Sequence, residues 1–260
     1  NSIFLAASRF GTLRRPYFTT NHRLDIQREI FKGFLFSAGL KLTQFEPLYD
    51  FYYLEKETNE YRSKFETTEV KFGLRYGRDE IIIINDNQRV SFGPSRWPIF
   101  EMNFSKGFQG LGGDLDYTKL SFYMYQRLNV GMLGVSRYEL DAGKVFGDVP
   151  YPILKNHLGN QTFFYTTAAF NTMNFNEFAS DQYFSLRYRH FFEGFLLNKI
   201  PVIKKLKWRA VANANVLFGS VSDKNIANSP TVDPVGDPLR TFGRLDPTKP
   251  YVELGYGVEN

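Results

Sequence analysis

Apolar and polar residues alternate along several long segments of this chain. Between Tyr117 and Leu128, one parity is apolar (Leu120, Phe122, Met124, Leu128) and the other polar or aromatic (Lys119, Ser121, Tyr123, Tyr125, Arg127). The same alternation recurs at Lys207–Gly219 and Tyr251–Glu259. Strands of soluble sandwiches usually have about 5–6 residues, whereas a tilted membrane-crossing strand needs roughly 9–11. The pattern therefore predicts strands long enough to cross a membrane.

Composition strengthens this interpretation. Aromatic residues make up 17% of the chain, yet the mean hydropathy is only -0.34. Outer-membrane barrels combine these properties, because aromatic girdles lie at both interfaces while every second residue faces a polar lumen. No purely apolar run, Ile81–Ile84 included, approaches the ~18 residues of a membrane helix. We therefore predict an all-β, antiparallel transmembrane outer-membrane β-barrel.

Length, charge and cysteine content limit the number of domains and the kinds of partner and site. A chain of 260 residues predicts one domain, residues 1–260. Its net charge of +5 is spread along the chain, so no nucleic-acid partner is expected. Without cysteine there is no disulfide or thiolate metal site. No signal peptide is recognisable at the start, so an exported protein with this sequence is expected to be a mature form or a fragment.

About twelve strands are expected, including Ile3–Phe10, Glu80–Phe92 and Gln161–Phe170. Lys32-Gly33 and Asn129-Val130-Gly131 are typical of the tight turns at the periplasmic end. Long extracellular loops are expected at Glu46–Glu66, Gly147–Asn160, Asn171–Ser180 and Ser222–Lys249. The chain stops in what resembles an unfinished hairpin, which predicts that it is a portion of a larger barrel.

Charged residues on the polar parity predict the lining of the interior. An ionised side chain on the lipid face costs about 2–4 kcal/mol at the membrane midplane, so these groups should face inward. We expect a cross-strand charge network in the lumen formed by Arg137, Glu139, Asp141, Arg187, Arg189 and Glu253. It would either fill and rigidify the barrel or select a substrate. On the same parity, Tyr123 and Asn213 should also face inward, while Phe122, Leu140, Leu186, Ala212 and Leu254 face lipid.

The segment Gly147–Ser180 is expected to fold against or into the barrel and block it. It combines prolines and aromatic residues with groups able to satisfy a polar wall. The residues expected to point inward are Asn171, Asn174, Asn176, Glu177 and the adjoining Asp181.

A series of motifs in order resembles a known family. They are Gly143–Leu154, Gly159-Asn160, Phe170–Asp181, Gly194–Pro201 and Pro250–Asn260. Together they resemble the outer-membrane barrel region of a family of unknown function whose members carry a carboxypeptidase-regulatory-like domain ahead of the barrel. The resemblance covers most of the chain from about Glu69 onward. It implies that an N-terminal regulatory-like domain and the final strands are absent here.

A fainter resemblance links the chain to the BamA-like surface-antigen barrels, which insert other barrels into the outer membrane. Gly143, Gly147 and Pro150 fit the strand end that leads into their long loop. The Arg-Gly-Tyr loop tip is missing, because no arginine lies between Pro150 and Asp181. An insertase mechanism is therefore not carried over.

The chemistry-bearing residues do not form a recognisable catalytic motif. We expect no enzyme, no catalytic residue, no metal site and no cofactor. The expected partners are the lipid bilayer of the outer membrane and proteins of an outer-membrane complex, in which the chain would be a multi-pass structural or assembly component. The alternatives are a passive or selective pore and, third, an outer-membrane enzyme.

Overall fold

The computed structural model describes residues 16–55, 58–80, 82–85, 88–91, 96–197, 205–239 and 242–259. Its fold is all-β, as predicted. The strands are β1 (Tyr17–Phe31), β2 (Phe34–Pro47), β3 (Tyr53–Glu55), β4 (Glu60–Arg62), β5 (Phe65–Gly77), β6 (Ile82–Asn85), β7 (Gln88–Ser91), β8 (Ile99–Phe108), β9 (Tyr117–Asn129), β10 (Val135–Phe146), β11 (Lys155–Asn156), β12 (Ala179–Ser180), β13 (Gln182–Phe191), β14 (Arg209–Ser220) and β15 (Tyr251–Glu259). A short helix, α1 (Asp223–Ala227), follows β14.

Nine strands form one antiparallel sheet in the order β1-β2-β5-β8-β9-β10-β13-β14-β15. Apart from the small hairpins, each strand pairs with the neighbour that follows it along the chain, which is an up-and-down arrangement. The two edge strands, β1 and β15, are not paired with each other in the described structure, so the sheet is open. The nine strands have 9 to 15 residues, the length predicted for membrane-crossing strands.

The register sorts the side chains into two faces, because directly opposed residues in antiparallel strands lie on the same face. Leu140 is opposite both Met124 and Leu186, and Leu186 is opposite Val216. On this apolar face, large side chains remain exposed; examples are Phe72, Phe104, Phe122, Phe184, Phe218 and Leu254. The opposite side, here called the polar face, carries Tyr123, Arg137, Arg187, Asn213 and Glu253. The parity predicted from the sequence is therefore the parity of the structure.

The connections differ at the two ends of the sheet. Tight turns follow β1 and β9, where Gly33 and Gly131 adopt left-handed backbone angles (φ +82° and +63°) that suit glycine. At the other end lie the connections 48–64, 109–116, 147–181 and 221–250. Aromatic and aliphatic residues from these connections pack into a buried cluster around Tyr53, Phe65, Tyr117 and Tyr151. The long loops thus form a hydrophobic core at one end of the sheet.

Two expected strands are wrong. The segment predicted as one strand at Glu80–Phe92 contains two short strands, β6 and β7, which pair with each other and not with the nine-stranded sheet. Gln161–Phe170 is irregular: the Asn160 side chain accepts a bond from the Thr162 amide (2.9 Å), and such local bonds compete with strand pairing. The strand expected at Ile3–Phe10 lies outside the described residues.

No helix among the described residues is long and apolar enough to span a membrane.

Adjacent positions on β9 provide a test of the two faces. Since the chain has no cysteine, a single introduced thiol is the only labelling target. We expect Phe122→Cys to react with a lipid-soluble maleimide in liposomes and Tyr123→Cys to react with a charged, water-soluble one. Equal labelling of both variants by either reagent would contradict a membrane-facing apolar face.

Candidate functional site

The predicted charge network lies on the polar face of β10 and β13. Glu139 is directly opposite Arg187, and their side chains form an ion pair (Arg187 Nη2 to Glu139 Oε2, 3.0 Å). Asp141, one step along the same face, accepts hydrogen bonds from Lys155 Nζ (2.8 Å) and the Tyr183 hydroxyl (3.0 Å). Lys155 belongs to the long connection, so this carboxylate joins the sheet to a loop.

Arg137 and Arg189, the other two arginines of the predicted network, do not pair with Glu139 or Asp141 in the described contacts. Arg189 lies 3.7 Å from Glu259 on β15. The Arg137 guanidinium lies over the Phe191 ring, 4.7 Å from its centre. The structure thus brings Arg187 together with Glu139, whereas Arg137 and Arg189 face each other across β10 and β13.

Glu253 is the main anchor between the polar face and the segment Gly147–Ser180. Only 5% of this residue is exposed. Its Oε2 accepts bonds from the Thr172 amide (2.9 Å) and hydroxyl (3.1 Å), and its Oε1 accepts from Asn215 Nδ2 (3.0 Å) and Asn171 Nδ2 (3.5 Å). A buried carboxylate needs several donors to offset its desolvation. Here three of the four donors come from the segment Gly147–Ser180, which covers this part of the polar face.

A second anchor comes from β13. Arg187 Nη1 donates to the Ala168 carbonyl at 2.8 Å and to the Thr167 carbonyl at 3.4 Å. The same guanidinium therefore holds Glu139 on the sheet and two backbone carbonyls of the segment. The segment lies across the polar face between β13 and β15.

The expected inward residues of the segment have different roles. Asn171 shapes the chain locally, accepting from the Thr166 amide (2.9 Å) and donating to the Thr166 carbonyl (2.9 Å), and it also reaches Glu253. Asn174 donates from its amide and side chain to Glu177 Oε2, which is a contact within the segment. Asn176 has a left-handed backbone angle (φ +52°), which asparagine tolerates better than most residues. Asn171 is therefore bonded to the polar face, through Glu253.

Asp181 ties the end of the segment to α1. Its buried carboxylate accepts from the Ser222 amide (2.7 Å) and from Asn225 Nδ2 (2.9 Å). Asn225 in turn accepts from the Val149 amide (2.9 Å), at the other end of the segment. Both ends of the segment are thus fastened to the same helix.

His157 is buried inside the segment, with 3% of its surface exposed. Its Nε2 shares a hydrogen bond of 2.9 Å with the Ser180 hydroxyl. Burial, reinforced by the nearby Lys155 cation and opposed by Asp141, lowers the pKa of His157 to about 4. The imidazole is therefore neutral near pH 7.

Two cavities open on the polar face. One, of about 180 Å³, lies beside the covering segment and is lined by Tyr125, Arg137, Glu139, Tyr165, Thr167, Arg187, Tyr188, Arg189, Asn213 and Asn215. The other, of about 330 Å³, lies near β1 and β5. In it Glu69 accepts from the Tyr117 hydroxyl (2.8 Å) and pairs with Lys71 (3.1 Å) and Lys119 (3.5 Å). Both cavities carry more cations than carboxylates.

Several contact residues were not expected from the sequence. Lys155, Thr172, Asn215, Asn225 and Tyr251 all contact residues of the predicted set or of the segment. Asn215 lies on the polar parity of β14, so the alternation contained a signal for it. The contacts of Thr172 and Asn225 depend on how distant connections pack, which no local pattern reveals.

The family model described as "Family of unknown function (DUF5686) C-terminal domain" matches residues 13–225. No curated protein matches the sequence. Among solved structures, the fold is similar to that of BamA from Haemophilus ducreyi lacking POTRA domains 1-3, with a TM-score of 0.55 and 9% sequence identity. The likeness covers 80% of this chain and 42% of that one, so the chain spans less than half the length of the solved protein.

Proposed function

The chain belongs to the family of unknown function DUF5686, matching its C-terminal domain over most of its length, and from this premise we propose that it is part of an integral outer-membrane barrel that serves as a structural or assembly component of a larger outer-membrane complex. In this proposal the segment Gly147–Ser180 blocks the interior. The resemblance seen in the sequence further implies a carboxypeptidase-regulatory-like domain ahead of the barrel.

The exposed apolar face supports the membrane location. Large apolar side chains on one face of all nine strands would be costly in water, since extended apolar patches of this kind normally mark an interaction surface. Lipid is the occupant that suits a whole sheet face with strands of 9 to 15 residues. The polar face and its buried carboxylates then line the interior.

The bonds between the segment Gly147–Ser180 and the polar face are the observation that supports a blocked interior. The backbone of the segment is bonded to Glu253 on β15 and to Arg187 on β13, and Lys155 bonds to Asp141 on β10. A pore lining would leave such groups free to meet water and solutes. A barrel that is filled by its own loop acts through its surfaces, which favours a scaffold or assembly component over a porin.

Planar-bilayer recordings test this proposal on the full-length protein. Replacing residues 159–177 by two glycines keeps the backbone bond between the His157 amide and the Phe178 carbonyl (3.0 Å) and removes the covering part of the segment. We expect a steady conductance in this variant and none in the intact protein. Replacing residues 233–237 of the exposed loop before β15 in the same way is the matched control, and it should remain closed.

Two results would contradict the proposal. A large, steady current through the intact protein would favour the alternative of a pore. Purification from the outer membrane without any copurifying protein would count against the scaffold role.

A further inference from the structure

The arginines of the polar face form an unusual row at the end of the sheet with the tight turn between β9 and β10. Arg127 is directly opposite Arg137, Arg137 is opposite Arg189, and Arg189 is opposite Asn213. Like charges directly opposite on neighbouring strands destabilise a sheet. Three adjacent strands therefore place arginines at directly opposed positions, with no carboxylate at those positions.

The hydrogen bonding of this row is incomplete. In the described part of the chain, no acceptor is within reach of three buried donors: the Nε atoms of Arg127 and Arg189 and the Nδ2 atom of Asn213. Buried donors are nearly always paired, with protein, water or a bound group, so these three donors need an acceptor that the described residues do not supply. All three donors belong to the same row. What the row lacks is an acceptor.

The charge of the site is also unbalanced. Arg187 lies two residues before Arg189 on β13 and on the same face, which brings the number of guanidinium groups to four. Among the residues that the structure describes, the carboxylates in contact with them are Glu139, which pairs with Arg187 (3.0 Å), and Glu259, which lies 3.7 Å from Arg189. The surplus is two positive charges. A group with two negative charges would neutralise it.

A cavity is present where such a group would bind. The 180 Å³ space is lined by Arg137, Arg187, Arg189 and Asn213. The rings of Tyr125 and Tyr165 also line it, and Tyr165 lies 5.3 Å from the Arg189 guanidinium. Sites for whole cofactors usually measure about 300–1,000 Å³. This cavity suits a small anionic group.

We propose that the cavity formed by Arg137, Arg187, Arg189 and Asn213 binds a phosphate monoester. Guanidinium groups match phosphate oxygens with paired, charge-assisted hydrogen bonds. A phosphate monoester carries close to two negative charges near neutral pH and offers three oxygens to the donors. The phosphate could belong to a soluble molecule or to a lipid headgroup. The inference concerns a binding site within the fold and goes beyond the proposed assembly role.

Thermal unfolding of the full-length protein tests the site. In non-ionic detergent, millimolar inorganic phosphate or glycerol 3-phosphate should raise the Tm, because a ligand that binds the folded state stabilises it. Chloride at the same ionic strength should not. Nanodiscs containing phosphatidic acid, compared with nanodiscs of phosphatidylcholine alone, test the lipid source. A shift with soluble phosphates identifies a free ligand, and a shift with phosphatidic acid alone identifies a lipid headgroup.

Three variants test whether the rise in Tm comes from phosphate bound in this cavity. Arg137→Gln and Arg189→Gln should weaken phosphate binding about tenfold or more, since each removes charge-assisted bonds. Without phosphate, Arg137→Gln should raise the Tm, because it relieves the repulsion within the row. Arg209→Gln removes an exposed cation that pairs with Glu193 and should bind phosphate as the unmodified protein does. The absence of any shift in both detergent and phosphatidic acid nanodiscs, or an equal shift in all three variants, would overturn the proposal.

Discussion

Glu253→Gln is expected to release the segment Gly147–Ser180 from the polar face. The carboxylate uses one oxygen for the amide and hydroxyl of Thr172 and the other for Asn215 and Asn171. Glutamine has only one acceptor oxygen. Its NH₂ group would replace the other oxygen and would face two of the four hydrogen-bond donors, which it cannot accept from. Hydrogen bonds to a charged group contribute about 1.5–3 kcal/mol each, and the donors left unpaired are buried.

Hydrogen exchange followed by mass spectrometry measures this release. Peptides covering Thr166–Met173 should exchange at least about tenfold faster in the variant, because a loss of ~1.4 kcal/mol corresponds to a factor of ten in the opening equilibrium. Peptides of β9 and β10 should be unaffected. Glu46→Gln makes the same chemical change at an exposed pair with Lys64 and serves as the control. Unchanged exchange in the segment of Glu253→Gln would show that Glu253 does not anchor it.

The strands and their faces could be predicted because both depend on neighbouring residues. Alternation along β9, β10, β13 and β14 predicts which side chains share a face, and a slip of one residue would reverse every assignment on a strand. Leu186 and Arg187 illustrate this: adjacent in sequence, they lie opposite Val216 and Asn215, on different faces. The tight turn at Lys32-Gly33 is likewise encoded locally, by a glycine that adopts a positive φ.

The interior could be predicted only in part. Parity indicates that Arg137, Glu139 and Arg187 share a face, but the register decides that Arg187 is opposite Glu139 while Arg137 is opposite Arg189. Gln161–Phe170 has the β-branched and aromatic residues of a strand, yet side-chain bonds from Asn160 and Asn171 to its backbone hold it in an irregular conformation. The bond between Thr172 and Glu253 joins residues 81 positions apart. Such contacts follow from tertiary packing.

Acidification is expected to loosen the segment through His157. The folded protein holds the pKa of this imidazole at about 4, whereas an unfolded or released segment has the ordinary value near 6.5. A lowered pKa means that the released state binds the proton more readily. The stabilisation is therefore complete above pH 6.5, declines as the pH falls from about 6.5 to 4, and amounts to about 3 kcal/mol at most, because each pKa unit is worth ~1.4 kcal/mol.

The pH dependence of Tm separates this effect from the titration of carboxylates. His157→Asn removes the titrating group but keeps a side chain able to bond with Ser180, so its Tm should fall less between pH 7 and pH 4.5 than that of the unmodified protein. His22→Asn, at an exposed position on β1, should keep the original pH dependence. The comparison is between the slopes of Tm against pH, so a loss of stability that is the same at every pH does not affect it. Parallel slopes for the unmodified protein and His157→Asn would mean that the buried imidazole does not couple the segment to pH.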